Sequence, residues 1–385
     1  MTEKCTSINP EILSWARESA GYSLEDVCAS SSLKKYNEWE NGTDFPTYAQ
    51  LEIIASKFKR PLAIFFFPEV PQEITPKKSF RTIPEYELDM LSPVINFLFR
   101  KGLSMQENLK ELKENQNTDY LNFIEQIGHI DKFHSSTLTR IRTLLGVPIE
   151  TQYDTNTRED MFEIWRNAFA DIGIYVFKEA FKDDNVGGFC LYDDMYPVIF
   201  VNNSTTKNRQ IFTLFHELAH LLLKGNHVDL ANRGYIEDLP SDSKNIEIIC
   251  NKFAGDFLVP NGIFNSMIAT KRINEAFIEQ LANKFMVSQE VIARKLLDKN
   301  IISNLYYNKI SDSLKEVAQK NKSGKGHYYY SQIAYLGKRY IELIFDKYNS
   351  RSISFEQAVD YSGIKAKNFG KLESFYIKTA YGGAF

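Results

Sequence analysis

The sequence predicts a mostly helical α+β protein divided into several domains. Three observations carry that expectation. The chain has 385 residues, more than one ordinary core organises. Helix-start signals followed by apolar residues at helical spacing recur along most of it. Only three short runs read as strands: Ile172–Phe177, Gly188–Tyr192 and Pro197–Asn202.

Residues 9–67 read as five short helices. Asn9 caps a helix with Pro10 at its first position, and Ile12, Leu13 and Ala16 supply its apolar face. Ser23 with Asp26 repeats the cap signal. A third helix runs through Leu33–Glu40 and stops at Asn41-Gly42. The fourth starts at Thr47, and the fifth, Pro61–Phe67, reads as short and buried. Prolines 68, 71, 76 and 84 then mark a linker. Residues 85–170 read as amphipathic helices broken near Gly128 and near Gly146 and Pro148. The second and third β-type runs, punctuated by Asp193-Asp194, read as a hairpin. Residues 224–245 are polar and loop-like. Helices resume at about 244–258, 261–269, 273–284 and 288–298. In the tail, Lys-rich loops alternate with one strong helix at about Tyr330–Tyr348. The divisions are 1–68, a linker at 69–84, 85–300 and 301–385.

Composition is that of a soluble protein: 43% hydrophobic, 25% charged, net charge −3. The four Cys (Cys5, Cys28, Cys190, Cys250) lie far apart and read as reduced thiols rather than a disulfide framework. The polar start, Met-Thr-Glu-Lys, has no signal-peptide pattern, and no apolar run approaches a membrane span. A cytoplasmic location and no membrane partner follow as expectations. Charge is uneven. Residues 1–70 carry 7 Lys/Arg against 10 Asp/Glu, whereas residues 301–385 carry 13 against 7 and hold 11 of the 21 Tyr.

One motif carries explicit chemistry. His216, Glu217 and His220 form an H-E-x-x-H inside the apolar run 211–223. With six His in the chain, a chance match is expected on the order of 0.01 times. Residues i and i+4 stack on one helical face, so both imidazoles converge and can ligate Zn²⁺. Glu217 can reach a water on that metal. A catalytic zinc wants a third protein ligand and one open position. Two candidates stand downstream. His227 is one, although Leu223 and Asn226 occupy the Gly and His positions of the H-E-x-x-H-x-x-G-x-x-H spacing. Glu247 is the other. It lies on a helix flanked mostly by apolar residues, where an acid needs a partner or a metal. The expected chemistry is hydrolysis, with Glu217 as general base. Arg209, His227 and Tyr235 are the candidates for stabilising an oxyanion. The run Pro197–Asn202 is a candidate edge strand that would pair with an extended peptide.

The segments Gly188-Phe-Cys-Leu-Tyr-Asp-Asp, Pro197-Val-Ile-Phe-Val-Asn-Asn, Arg209 to Leu223 and Glu247-x-x-Cys-Asn-Lys-Phe-Ala-x-x-Phe-Leu-Val-Pro260 resemble ImmA/IrrE-type metallopeptidases. The run from Leu281 to Ser288 and the run Ala293-Arg-Lys-Leu296 resemble that family's helices after the site. The resemblance implies a zincin-like domain with a small antiparallel-containing sheet, and Glu247 as the third zinc ligand beside His216 and His220. Residues 9–68 resemble a Cro/repressor-type helix-turn-helix through Leu13-Ser-Trp-Ala-Arg17, Leu24-Glu-Asp-Val27, Trp39-Glu-Asn-Gly42 and Phe65-Phe-Phe-Pro68. The stretch between Val27 and Trp39 is about two residues shorter than the usual pattern, and the recognition helix offers only Lys34 and Lys35 as cations.

These resemblances imply a cytoplasmic regulatory zinc endopeptidase that cleaves a repressor or antitoxin-like protein, in the setting of mobile elements, toxin–antitoxin pairs or stress circuits. DNA binding through residues 9–68 and a homodimer are further expectations about partners. The alternative is a non-proteolytic helix-turn-helix regulator or antitoxin that uses the zinc domain as a scaffold. Residues 301–385 resemble the ends of long fused members. They read either as a packed helical cap or as a basic, Tyr-rich surface able to stack bases and follow phosphates.

Overall fold

The structure, a computed structural model, describes residues 3–74, 92–128, 130, 133–183, 185–230, 241–318 and 328–381. The chain divides into two compact units, Met1–Lys101 and Gly102–Phe385, with the boundary inside the helix Pro93–Leu112. Most of the linker expected at 69–84 lies outside the described residues.

The first unit follows its local signals closely. Asn9 accepts from Glu11 N and caps α1 (Pro10–Ser19). Ser23 and Asp26 close a capping box on α2 (Leu24–Cys28). α3 (Tyr36–Glu40) is five residues long and ends at Asn41, with Gly42 beyond it at φ +69°. Thr47 and Gln50 form a second capping box at the start of α4 (Tyr48–Phe58). Leu33, the expected start of the third helix, sits in the turn ahead of it, fully buried. The core is Ile12, Leu13, Ala16, Val27, Leu33, Tyr36, Trp39, Leu51, Ile54, Phe58 and Phe65. The fifth element corrects the expectation. It is a 3₁₀ turn, Leu62–Phe66, and of its aromatic run only Phe65 is buried, while Phe66 and Phe67 are 42% and 48% exposed. A single tight turn offers one face to a core, so three consecutive rings cannot all enter it.

The helix Pro93–Leu112, α5, is followed in the second unit by α6 (Thr118–Ile127), α7 (Ser135–Leu144), α8 (Ile149–Asp154) and α9 (Arg158–Asp171). Gly128 at φ +73° and Gly146 at φ +65° mark the two expected breaks. A four-stranded sheet comes next, ordered β1 (Tyr175–Glu179), β3 (Val198–Asn202), β2 (Val186–Leu191), β4 (His227–Leu230). β2 and β3 form the expected antiparallel hairpin, β1 runs parallel to β3, and β4 runs antiparallel to β2. Two expectations fail here. Pro197–Asn202 is no edge strand: β3 lies between β1 and β2. Its unbroken apolar run Val-Ile-Phe-Val is that of a strand covered on both faces. The stretch 224–245 is not all loop either. Four of its residues form β4, and the following helix starts at Ser241.

Both faces of the sheet are covered. Val176, Cys190, Ile199 and Val201 join the main core with α10 (Lys207–Leu222), which lies against that face. On the opposite face Phe177 meets Phe200 at 5.2 Å, Phe189 stacks on Phe200 at 4.8 Å, and Tyr340 closes on Phe177 at 5.1 Å. Strand alternation divides the side chains this way. Gly188 points at α10. A Cβ there would lie 2.5 Å from Phe200 O and 2.6 Å from Thr213 Cγ2. Gly188→Ala is therefore expected to destabilise the unit by about 1–3 kcal/mol. Gly255→Ala, at a helical glycine with open space around it, is expected to be neutral or stabilising by up to ~1 kcal/mol. Urea titrations of the two variants check the pair.

Beyond the sheet run α11 (Ser241–Leu258), α12 (Asn261–Ile268), α13 (Glu275–Lys284), α14 (Gln289–Asp298) and α15 (Asn304–Ala318). The tail is more helical than expected: α16 (Tyr328–Leu336), α17 (Lys338–Asn349), α18 (Phe355–Ser362) and α19 (Ala366–Tyr381). The single helix expected over Tyr330–Tyr348 is broken at Gly337, which has φ +90°. A side chain there would sit 2.9 Å from the Arg166 guanidinium. Arg166, 3% exposed, donates to Val176 O at 2.8 Å and to Ala334 O and Tyr335 O at 2.6 Å. One buried cation thus ties β1 to the end of α16, and glycine makes room for it. Among the described residues no helix is long and apolar enough to cross a membrane.

Candidate metal centre

The site is built on two helices packed against each other. α10 starts at Thr206, whose hydroxyl accepts from Arg209 N at 3.3 Å. It ends with Lys224 in the left-handed region (φ +60°) and Gly225 N donating to His220 O at 2.9 Å. From Gln210 to Leu222 every residue but Phe212 is buried. A helix enclosed on all sides leaves no solvated face for its polar residues. His216, Glu217 and His220, at 2%, 0% and 1% exposure, therefore need partners inside the protein.

α11 carries the complementary acid. Glu247 is 5% exposed and turns its two carboxylate oxygens to different rings: Oε2 lies 3.4 Å from His216 Nε2 and Oε1 lies 3.3 Å from His220 Nε2. The two Nε2 atoms are 3.1 Å apart. Each imidazole nitrogen thus has the other nitrogen and one carboxylate oxygen within 3.1–3.4 Å. The edge of a tetrahedron with bonds of about 2.0–2.1 Å is about 3.3 Å, close to the separation of the two nitrogens and of each nitrogen from its carboxylate oxygen, so the donor types and spacing are compatible with zinc. His216, His220 and Glu247 could hold a metal ion together.

Aromatic stacking fixes the two helices in register. Phe215, one residue before His216, stacks on Phe257 of α11 at 4.4 Å, and Trp165 meets Phe215 edge-on at 4.8 Å. The Arg142 guanidinium lies 4.5 Å over the Phe257 ring and donates to Phe257 O at 2.6 Å. Gln152 donates to Leu258 O at 2.9 Å. The last carbonyls of α11 are thus satisfied by side chains, with a cation at the negative end of the helix dipole. Burial pushes Arg142 down to about 10, so it stays charged at neutral pH.

Cys250 lies three residues after Glu247, on the same helical face. It is fully buried, and burial pushes its thiol well up, with the charges of Glu247 and Glu217 adding to the effect. Glu217 directly follows His216 on α10 and is fully buried. Among the described residues the group that could hold a metal is two imidazoles and a carboxylate, without the thiol.

The backbone of His227 lies in β4, opposite Cys190 of β2. Its side chain, and Tyr235, lie outside the described residues. Arg209 is in the first turn of α10, nearly two turns before His216.

No curated protein matches the chain at a significant level. Among solved structures, a Mycobacterium tuberculosis transcriptional regulator aligns at 17% identity with a TM-score of 0.30, over 50% of this chain and 51% of that one. The chain thus spans about half the length of that regulator. Residues 169–297, from the end of α9 through the sheet and both donor-bearing helices to α14, match the family model of the IrrE N-terminal-like domain, Peptidase_M78.

Proposed function

We propose that the second unit is a zinc endopeptidase that cleaves a partner regulator, a repressor or antitoxin-like protein. The observation that carries this is the convergence of His216 Nε2, His220 Nε2 and the Glu247 carboxylate at 3.1–3.4 Å, a set of two imidazoles and one carboxylate that would hold zinc. The match of residues 169–297 to a peptidase-family domain supports the same reading. When bound there, zinc acidifies a water molecule and polarises a peptide carbonyl. The chain's own residues do the rest. The Glu217 carboxylate accepts the proton of the attacking water and returns it to the amine nitrogen as the peptide bond breaks. The buried helices around it exclude bulk water, which strengthens each charge interaction. β4 is the candidate strand for an extended substrate: among the described residues it pairs only with β2, so its outer edge takes over the role expected of β3.

Glu217→Gln tests the reading. The variant keeps every proposed metal ligand and removes the base. In cells that carry the natural partner, the wild-type chain is expected to generate a new N-terminus in one regulator. The variant is expected to do so about 10²–10⁴ times more slowly at unchanged zinc content. If the biological effect persists undiminished in Glu217→Gln, the centre is a metal-stabilised scaffold in a binding protein, and the hydrolase reading falls.

A further inference from the structure

The tail of the chain packs on the sheet, yet one of its surfaces is left over. α19 buries Phe369, Leu372 and Tyr376. Its opposite side carries Lys367, Lys371 and Lys378, all exposed, at positions i, i+4 and i+11. At 100° per residue these three fall within an arc of about 40°, and they extend along about 16 Å of helix. None of them, nor Lys365 just before the helix, forms an ion pair among the described residues. Glu373, the acid within this stretch, lies on the far side of the helix. Lys367 stands in the first turn, where the helix dipole disfavours a cation, and no acid shares that turn. α16 adjoins α19 through Tyr329 and Phe375, whose rings are 6.2 Å apart. Beside that contact Tyr328 and Tyr330 are 46% and 63% exposed.

The first unit, where DNA binding was expected, has the reverse character. Lys4 and Lys35 both pair with Asp44, Arg17 pairs with Glu40 at 2.8 Å, and Arg60 pairs with Glu73. Four of the seven cations in residues 1–70 are thus paired with acids of the same unit, and acids outnumber bases across that stretch. Phosphate neutralisation dominates nucleic-acid affinity, so the lysine row of α19 is better placed for it than α3.

We propose that the α16/α19 surface binds single-stranded nucleic acid: Lys367, Lys371 and Lys378 follow the phosphates, and Tyr328 and Tyr330 stack on unpaired bases. The charges are lysines, which serve as point charges on phosphates, whereas carboxylate recognition favours the arginine fork. Exposed rings beside a cationic row are what a sequence-tolerant single-strand platform needs. The proposal does not depend on the peptidase reading.

Anisotropy titrations of full-length protein onto a labelled 20-nucleotide single strand, across a salt series, test it. The combination of Lys367→Glu, Lys371→Glu and Lys378→Glu is expected to weaken binding by about 10-fold or more. It is also expected to flatten the log–log salt slope by about 2, at ~0.7 per neutralised phosphate. Tyr328→Ala with Tyr330→Ala is expected to weaken binding by about 10-fold at an unchanged slope. Lys34→Glu with Lys35→Glu is expected to change nothing. Unaltered circular dichroism melts certify the fold, and glutamine at the three lysine positions gives the same reading if charge reversal disturbs it. The proposal is overturned if wild-type protein binds no strand at physiological salt. It is equally overturned if it binds only anionic vesicles or acidic polypeptides, or if only the Lys34/Lys35 variant loses affinity.

Discussion

Glu247→Ala is expected to abolish stoichiometric zinc. Its carboxylate lies 3.3–3.4 Å from both imidazole nitrogens, so its removal leaves two ligands for an ion that wants three from the protein. Outer-shell changes alone cost roughly 10–100-fold in metal affinity, and the loss of a direct ligand is expected to exceed about 100-fold. Zinc content by atomic absorption and affinity by chelator competition read this directly. Wild-type protein should melt at a higher temperature with zinc than with chelator, because ligand bound only to the folded state stabilises it. The variant should melt alike in both. Full zinc occupancy in Glu247→Ala would refute the three-ligand centre.

Phe257→Ala is expected to destabilise the second unit by about 3–5 kcal/mol, the range for deleting a buried aromatic ring. The ring is 1% exposed, stacks on Phe215 and lies beneath the Arg142 guanidinium. Its loss removes the contact that sets α11 against α10, the two helices that supply the donors. Zinc affinity should therefore fall together with stability. Phe257→Leu, which refills part of the space, should recover much of both. Urea unfolding with and without zinc separates the effects: a smaller zinc-induced gain in the variant than in wild type marks the loss of register. An equal gain in both would mean that the ring supports the fold without positioning the donors.

What was legible in the sequence follows the range of the interactions involved. The pairing of His216 with His220 depends on helical spacing alone, and Ser23, Thr47 and Asn9 cap their helices through residues two or three positions away. Glu247 was suggested by an acid on an apolar-flanked helix, but its approach to the imidazoles depends on how two helices pack, which periodicity does not encode. Strand order was least accessible. The run Val198–Asn202 carries no mark of an interior position beyond its continuous apolarity, and its neighbour β1 comes from before the hairpin. β4 is only four residues long and sits in a polar stretch, too short for alternation to register. The break at Gly337 has its cause in Arg166, which is distant in sequence.

The layer beneath the sheet has a consequence for modularity. Residues 169–297 match one family model, yet Phe177 is shielded partly by Tyr340, Phe189 and Phe200 lie against Gly102 of α5, and Arg166 holds the end of α16 just before the helix that carries Tyr340. Shuffled into another gene without α5 and the tail helices, the stretch would show water a greasy plane of rings.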